Sequence, residues 1–243
     1  MRAYEKIMKW SEHYRINSHD CDPTGVVRPS LVQRYMQETA NLQMKNEGPS
    51  NDDLRRLGMA FLLSRITVST YAPLHAGDEI DVTSWGCESR GVSFNRCYQI
   101  KRGDEIVAEA ASIWGLIGRD DHRIVRGGEV EMRFGTDEPL ELESTRVHIP
   151  RDLGLALVGE RPVVYSDLDI NNHMNNTNYP DMFCDFIPEM PGKRVANMAI
   201  SYAHEAPLGE LLKVYTAKSD DVWSVRTVRS DGKVNAEAEI ILE

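Results

Sequence analysis

The chain has 243 residues, 41% hydrophobic and 27% charged, which suits a globular protein of one large domain or two small ones. A formal net charge of −10 argues against nonspecific binding to nucleic acid or to an anionic membrane. No apolar run approaches the ~20 residues that span a bilayer. Residues 1–10 also lack the apolar stretch of a signal peptide, so we expect a cytoplasmic protein.

In the first half of the chain, apolar residues recur at helical spacing over 31–42 and predict a helix. The pattern stops at 46–49, where a glycine and a proline supply a left-handed cap and a helix break. Alternating apolar residues over 92–100 then predict a half-buried strand. The mostly apolar run 106–117 predicts a strand that is covered on both faces.

The second half repeats this order of elements. A helix is predicted to begin near Asn178, with a proline in its first turn, and to end before Pro188. Strands over 222–228 and 234–241 are predicted to form a hairpin, because an Asp-Gly pair at Asp231 lies between them. Each half therefore reads as a helix followed by several strands.

Three pairs of segments echo one another in the same order along the chain. The pairs are 20–23 with 167–170, 77–82 with 209–214, and 106–110 with 234–238. The offset between the copies falls from 147 to 132 and then to 128, so the first copy carries the extra residues. Three echoes in order predict a tandem duplication.

We expect two α+β units packed as a pseudo-dimer, each with an antiparallel sheet curled around a central helix. The first repeat is predicted over residues 1–135 and the second over 151–243. Acidic, irregular sequence follows the first repeat, so a linker is predicted over 136–150. The second repeat is predicted to be catalytic, and the first to hold a degenerate site and bind the substrate.

The segment 165–176 places an acid, a carboxamide and an imidazole at every second position, as Asp169, Asn171 and His173. In an extended segment these three side chains project to the same side. That arrangement gathers a proton acceptor, an orienting amide and a titratable ring around one small volume. The alternative interpretation is a solvated turn rich in asparagine.

This set of side chains occurs in the second copy alone. In the first copy, Asp169, Asn171, His173 and Glu205 correspond to Asp22, Thr24, Val26 and Pro73. One acid is therefore shared, and the other three groups are missing from the first copy. We expect a single active site in the second copy, with the first copy free to shape a binding cavity.

The four cysteines show no CxxC pairing and no metal-ligand spacing with the histidines. Cys87 and Cys97 fall on predicted neighbouring strands. A turn at residues 90–91 would set Cys87 opposite Phe94, which disfavours a disulfide between the two cysteines. We expect reduced and mostly buried thiols, and no metal site.

Residues 166–176 read SDLDINNHMNN, and the similarity continues through Tyr179. This segment resembles the SDLD-x-N-x-H-x-NN signature of the acyl-acyl carrier protein thioesterases of plants and bacteria. Further similarity lies at 63–66, 77–85 and 108–114. The resemblance implies an α+β tandem (double) hotdog fold, in which each repeat wraps an antiparallel sheet around a long central helix. It also implies hydrolysis of an acyl thioester on a phosphopantetheine arm, with release of a free fatty acid.

The resemblance also implies which residues are catalytic. They are Asp169, Asn171, His173 and Glu205. Many plant members carry a cysteine directly after the glutamate, where this chain has Ala206, so a cysteine nucleophile is not expected. Cys184 is expected to be a buried hydrophobe.

The chemistry needs an activated water and a stabilised oxyanion, because a thiolate leaves readily. Either Glu205 or Asp169 would accept the proton of that water, or Asp169 would attack directly, and these alternatives stay open. Backbone N–H groups over 175–178 are expected to act as oxyanion donors. Hydrolysis needs no cofactor.

The expected partner is an acyl carrier protein bearing an acylated phosphopantetheine arm, and a homodimer is compatible with the sequence. An acidic carrier needs a basic patch. The candidates are Arg55 with Arg56, Lys101 with Arg102, Arg119 with Arg123 and Arg126, and Lys193 with Arg194. The alternative functions are an acyl-CoA thioesterase, a hotdog dehydratase, and a noncatalytic protein that binds or senses acyl thioesters. Acyl chain length cannot be read from the sequence.

Overall fold

The computed structural model describes residues 8–88, 91–121, 123–126, 129–130, 132 and 134–243. These residues form three α-helices and eleven strands. The helices are α1 (Pro29–Glu47), α2 (Asn51–Arg56) and α3 (Tyr179–Asp185). The strands are β1 (Lys9–Arg15), β2 (Met59–Thr70), β3 (Glu79–Gly86), β4 (Ser93–Arg102), β5 (Glu105–Gly118), β6 (Ile124–Val125), β7 (Ala156–Pro162), β8 (Val195–Tyr202), β9 (Leu211–Ser219), β10 (Val222–Val228) and β11 (Val234–Leu242).

All of these strands belong to one sheet, in the order β1-β3-β4-β5-β2-β8-β11-β10-β9-β7, with β6 added beside β5. Neighbouring strands are antiparallel. The two halves of the chain meet where β2 pairs with β8, from Arg65 opposite Ser201 to Ser69 opposite Asn197. The sheet is therefore continuous across the repeats, and its α+β character confirms the fold class predicted from the sequence.

Helix α1 begins with Pro29 in its first turn and ends at Gly48, whose φ of 52° only glycine adopts at low cost. Its buried apolar side chains recur every fourth residue, so they form one stripe. They are Val32, Met36, Ala40 and Met44. Burying side chains of this kind contributes about 1.5–3 kcal/mol for each large one. The predicted first helix is confirmed.

The helix predicted from near Asn178 to before Pro188 is confirmed as α3, but its seven residues make it shorter than the long central helix that the resemblance implies. Pro188 disfavours helical geometry at Ile187, and the helix ends at Asp185 with Phe186 as its C-cap. A short helix that was not predicted, α2, follows α1 and is capped by Ser50, whose Oγ accepts the N–H of Asp53 at 3.1 Å. Within the described ranges, no helix is both long and apolar enough to cross a membrane.

The segment between the repeats lies against the sheet face opposite α1. Trp85 donates its indole N–H to the carbonyl of Glu138 at 2.9 Å. Farther along, Arg65 donates to the carbonyl of Ser144 at 3.0 Å, and the N–H of Val147 donates to Ser201 Oγ at 3.0 Å. The linker thus contacts strands of both repeats.

All four cysteines are buried free thiols, as predicted. The predicted register between Cys87 and its neighbour is wrong, because Cys87 donates its N–H to Asn95, not to Phe94. The connecting loop is one residue longer than a turn at 90–91 requires, and the Arg90 part of that turn lies outside the described residues. Cys87 and Cys97 place their Sγ atoms 3.4 Å apart.

Candidate active site

The signature segment forms a tight turn. Leu168 pairs with Met174, and the N–H of Asp169 donates to the carbonyl of His173 at 2.9 Å. Asn172 closes the turn with a φ of 63°, a left-handed conformation that asparagine tolerates. The premise of an extended segment is therefore wrong, because local hydrogen bonds fold the chain back on itself between 169 and 173.

The carboxylate of Asp169 holds this turn together. Its Oδ1 accepts the backbone N–H of Asn171 at 2.8 Å and lies 3.5 Å from the N–H of His173. Its Oδ2 lies 3.5 Å from the side-chain amide of Asn171. One oxygen is thus bound to the backbone, as in an Asx turn, and the other faces the carboxamide.

The ring of His173 meets the carboxylate of Glu205, with 3.2 Å between Nε2 and Oε2. Glu205 follows β8, and the backbone there is joined to the turn, since Met174 donates its N–H to the carbonyl of Ala206 at 2.9 Å. About a third of each side chain is exposed, 33% for His173 and 39% for Glu205. The pair can therefore reach both a substrate and solvent water.

Asn235 fixes the loop that carries Glu205, and sequence reasoning missed it. Its carbonyl accepts the N–H groups of Ala203 and His204 at 2.8 and 3.1 Å. Its side-chain amide donates to the His204 carbonyl at 2.5 Å and to the Tyr179 hydroxyl at 3.0 Å. Asn235 is 1% exposed and matches Val107 in the first copy. The available signal was an amide in a strand whose other buried residues, Ala236, Ala238 and Ile240, are apolar.

A cavity of about 760 Å³ brings the four predicted residues together with side chains of the first repeat. Its apolar lining includes Met44, Leu54, Met59, Phe61, Phe94 and Trp114. This volume lies within the range of small-molecule sites. The cavity joins a reactive end in the second repeat to an apolar space in the first.

Most of the expected oxyanion donors are already engaged. The N–H groups of Asn175, Thr177 and Asn178 donate to Asp167 O at 2.8 Å, Asn175 Oδ1 at 2.9 Å and Asn175 O at 2.9 Å. These bonds stabilise the start of α3, so the expectation is wrong for three of the four groups. Across the part of the chain that is described, the N–H of Asn176 is the one of the four with no acceptor, and Asn176 lines the cavity.

Cys184 offers no nucleophile here. Burial raises the pKa of the Cys184 thiol to about 12, so this side chain is not a thiolate at neutral pH. Ala206 is fully buried beside the turn. No cluster of three or more His, Cys, Asp or Glu that could hold a metal ion is found among the residues described.

Family models match almost the whole chain. The model of the acyl-ACP thioesterase N-terminal domain matches residues 8–129, and that of the C-terminal domain matches 156–243. Curated relatives include the palmitoyl-acyl carrier protein thioesterase and the oleoyl-acyl carrier protein thioesterase 2 of Arabidopsis thaliana, both chloroplastic. They are 22% and 24% identical over 89% and 77% of this chain. The aligned region spans 57% and 56% of their own lengths.

Two solved structures share the fold over 97% of this chain. One is an acyl-ACP thioesterase from Bacteroides thetaiotaomicron, with a TM-score of 0.88, 18% identity and 98% of its own chain covered. The other is a 12:0-ACP thioesterase from Umbellularia californica, with a TM-score of 0.85, 17% identity and 97% covered. Together with the domain models, these likenesses confirm both the fold and the family predicted from the signature segment. The chain belongs to the acyl-ACP thioesterase family.

Proposed function

We propose that this protein hydrolyses acyl-acyl carrier protein thioesters and releases the free fatty acid. The observation that carries the proposal is the contact between His173 and Glu205, 3.2 Å long, at the wall of a largely apolar cavity. A base beside an apolar cavity suits a thioesterase, since the acyl chain is apolar and the reaction requires an activated water.

Glu205 is assigned as the base that accepts a proton from the attacking water, with His173 orienting the carboxylate and sharing the proton. The water oxygen bonds to the thioester carbon, the carbon–sulfur bond breaks, and the departing thiolate takes up the proton. Asn171 orients the water or polarises the carbonyl. The N–H of Asn176 faces the developing oxyanion.

The two carboxylates have different surroundings, and this difference favours Glu205 as the base. Oδ1 of Asp169 accepts two backbone N–H groups of the turn, whereas Glu205 contacts an imidazole that can pass a proton on. Asp169 keeps a role at the site through Oδ2, which orients Asn171.

Thiol release from purified protein tests this function. Acyl-acyl carrier protein and acyl-CoA substrates with chains of eight to eighteen carbons would be compared, using wild type and Asp169→Ala. We expect turnover on the carrier substrates and at least a hundredfold loss in the variant. Binding without thiol release would overturn the enzyme assignment and favour a noncatalytic acyl-thioester binding protein.

The charge distribution supports acyl carrier protein, and not CoA, as the group that carries the acyl chain. Most candidate basic residues are neutralised, for example Arg56 by Asp53 at 3.2 Å and Arg102 by Asp78 at 2.9 Å. Arg119 lines the cavity, is exposed, and has no ion pair within the described ranges, so we assign it to docking the acidic carrier. Arg119→Glu should raise KM for the carrier substrates and weaken its salt dependence. An unchanged KM, or faster turnover of CoA thioesters by wild type, would contradict this assignment.

The proposal also includes the boundaries of the two repeats and the location of the protein in the cell. Residues 1–135 form the acyl-binding repeat, 136–150 the linker and 151–243 the catalytic repeat, in a cytoplasmic protein. All four assigned catalytic residues come from a single chain, so turnover needs no second copy even where a homodimer forms. Activity that follows the monomer through sedimentation would support this, and activity confined to a dimer would contradict it.

A further inference from the structure

The cavity wall contains a buried arginine that the proposed chemistry does not use. Arg96 lies on β4, is 8% exposed and lines the cavity. Its Nη1 donates to Gln43 Oε1 at 2.7 Å and to Ser84 Oγ at 2.8 Å. Both partners are neutral, and the described part of the chain places no carboxylate within ion-pair distance of Arg96. Buried charges in proteins are ordinarily paired.

Several hydrogen-bond donors around this guanidinium lack an acceptor. Neither Nε–H nor Nη2–H of Arg96 has an acceptor within the described ranges. A guanidinium only donates, so the oxygen of Gln43 must face it, which leaves the buried Gln43 Nε2 without a partner. Burial lowers the pKa of Arg96, although nearby Tyr98 and two cysteines raise it, and the group stays charged at neutral pH.

These donors lie far from the reactive end of the cavity. On the sheet, Arg96 is three strand spacings from β8, or about 14 Å. On α1, Gln43 lies nine residues after Arg34, which contacts Asn178 near the signature turn; nine residues span about 14 Å of helix. The ring of Phe134 covers the guanidinium at 5.3 Å. These donors can therefore hydrogen-bond to a group on the acyl chain, but not to the thioester.

We infer that the substrate is an acyl chain that carries an oxygen acceptor remote from its thioester, such as a hydroxyl, oxo or carboxyl group, which Arg96 binds. This inference rests on the proposed thioesterase function and names its substrate class. An unsubstituted chain leaves the donors of Arg96 unpaired against apolar carbon. A site built to hydrogen-bond a substrate oxygen discriminates strongly against the analogue without it.

The test compares pairs of acyl-acyl carrier protein substrates of equal length, one plain and one oxygenated in the distal part of the chain. Wild type should prefer at least one oxygenated substrate by tenfold or more in kcat/KM. Hydroxy, oxo and carboxy substrates are tested separately, so that the preferred one identifies the oxygen group that Arg96 binds. Arg96→Met should reduce that ratio to about one or below. Equal or better turnover of plain chains by wild type, in all three arms, would overturn the inference.

A second variant guards against misfolding of Arg96→Met. Gln43→Glu supplies an internal carboxylate at 2.7 Å from Nη1 and removes the unpartnered amide nitrogen. It should cut the preference at least tenfold without lowering the melting temperature, and an unchanged preference would contradict the inference. Arg15→Met, which removes a 70% exposed arginine side chain, is the matched control and should keep the wild-type preference.

Direct binding separates failure of this inference from failure of the proposed function. Calorimetry would compare the free oxygenated acids with plain acids of the same length, for wild type and Gln43→Glu. Tighter binding of an oxygenated acid by wild type, but not by Gln43→Glu, supports the inference even if no substrate is hydrolysed. The absence of hydrolysis would overturn only the enzyme assignment. Equal binding of both acids by wild type would overturn the inference itself.

Discussion

The same turn is built twice in this molecule, and only one copy carries the side chains assigned to catalysis. In the first repeat the N–H of Asp22 donates to Val26 O at 2.8 Å, and in the second the N–H of Asp169 donates to His173 O at 2.9 Å. Each aspartate also accepts, at 2.8 Å, the N–H two residues later. The backbone geometry is therefore common to the two repeats, although three of the four assigned catalytic side chains are not.

The agreement extends to the segment beside each turn. Val27 donates to Leu74 O at 2.9 Å, as Met174 does to Ala206 O at the same distance. These contacts match the offsets of 147 and 132 between the sequence echoes. The duplication predicted from the echoes thus describes hydrogen bonds as well as residue types.

The comparison separates the parts played by the side chains. An aspartate at this position makes the turn in both repeats, so turn formation alone explains why Asp22 is present. In the second repeat, His173 and Glu205 contact each other. The first repeat has Val26 and Pro73 at the corresponding positions, so it lacks this pair. The proposed reactive groups therefore lie on a turn that the fold forms in both repeats.

The largest effect should come from the pair that the first repeat lacks. Glu205→Gln keeps the shape of the side chain but removes the proton acceptor, and kcat should fall by about 10²–10⁴. Thiol release under saturating substrate measures the loss. Pro73→Ala, at the corresponding position of the first repeat, should leave kcat within twofold. Wild-type turnover by Glu205→Gln would remove Glu205 from the mechanism.

The shared aspartate distinguishes turn formation from catalysis. Asp22→Ala and Asp169→Ala should each lower the free energy of unfolding by about 1–3 kcal/mol, because two backbone N–H groups lose their acceptor. Asp169→Asn retains an acceptor oxygen but loses the charge, so kcat should fall about a hundredfold with little loss of stability. Urea unfolding and thiol release are measured in parallel. If Asp22→Asn reduced kcat as much, the proposed asymmetry between the repeats would be wrong.

A smaller effect on kcat is expected at Asn235, because its counterpart Val107 accepts the equivalent backbone hydrogen bonds without a side-chain amide. Val107 accepts the N–H of Tyr71 at 2.8 Å, as Asn235 accepts that of Ala203. Asn235→Val should misplace Glu205 and lower kcat about tenfold with little change in KM, a split that mere destabilisation would not produce.

Thr227 provides the control for Asn235. Thr227→Val removes the hydroxyl that donates to Asn235 Oδ1 at 2.8 Å, but it leaves the contacts of Asn235 with the Glu205 loop in place. This variant should lower stability and spare kcat. Equal kcat for Asn235→Val and wild type would show that the buried amide only supports the fold.

The smallest effect is expected at the left-handed position of the turn. Asn172 has a φ of 63°, and its counterpart Gly25 has a φ of 82°. Asn172→Gly should change the free energy of unfolding by about 1 kcal/mol or less and leave kcat within twofold. Thermal unfolding and thiol release check both values. A tenfold loss of kcat would show that the Asn172 side chain takes part in catalysis.

Features with a local cause were predictable from the sequence. Helix α1 and the hairpin of β10 and β11 follow from periodicity and turn residues, and the choice of the four candidate site residues follows from the signature and the wider resemblance. The register at Cys87 was not predictable, because it depends on the exact length of a loop.

Contacts between distant segments were also beyond the sequence. The contacts of the Asn235 carbonyl and of the Arg96 guanidinium depend on what tertiary packing brings beside them. A buried amide or guanidinium has the same one-letter code as an exposed one. Burial and partners therefore decide its role, and these are properties of the assembled sheet.

We propose that four side chains, on the shared turn and its neighbouring loop, make the second repeat reactive. The most direct test is Asn171→Thr combined with His173→Val, which places the residues of the first turn, Thr24 and Val26, at these two positions. We predict a folded protein with a nearly wild-type melting temperature and no measurable thiol release from acyl-acyl carrier protein. Retained turnover in this folded variant would show that Asn171 and His173 are not needed for the reaction.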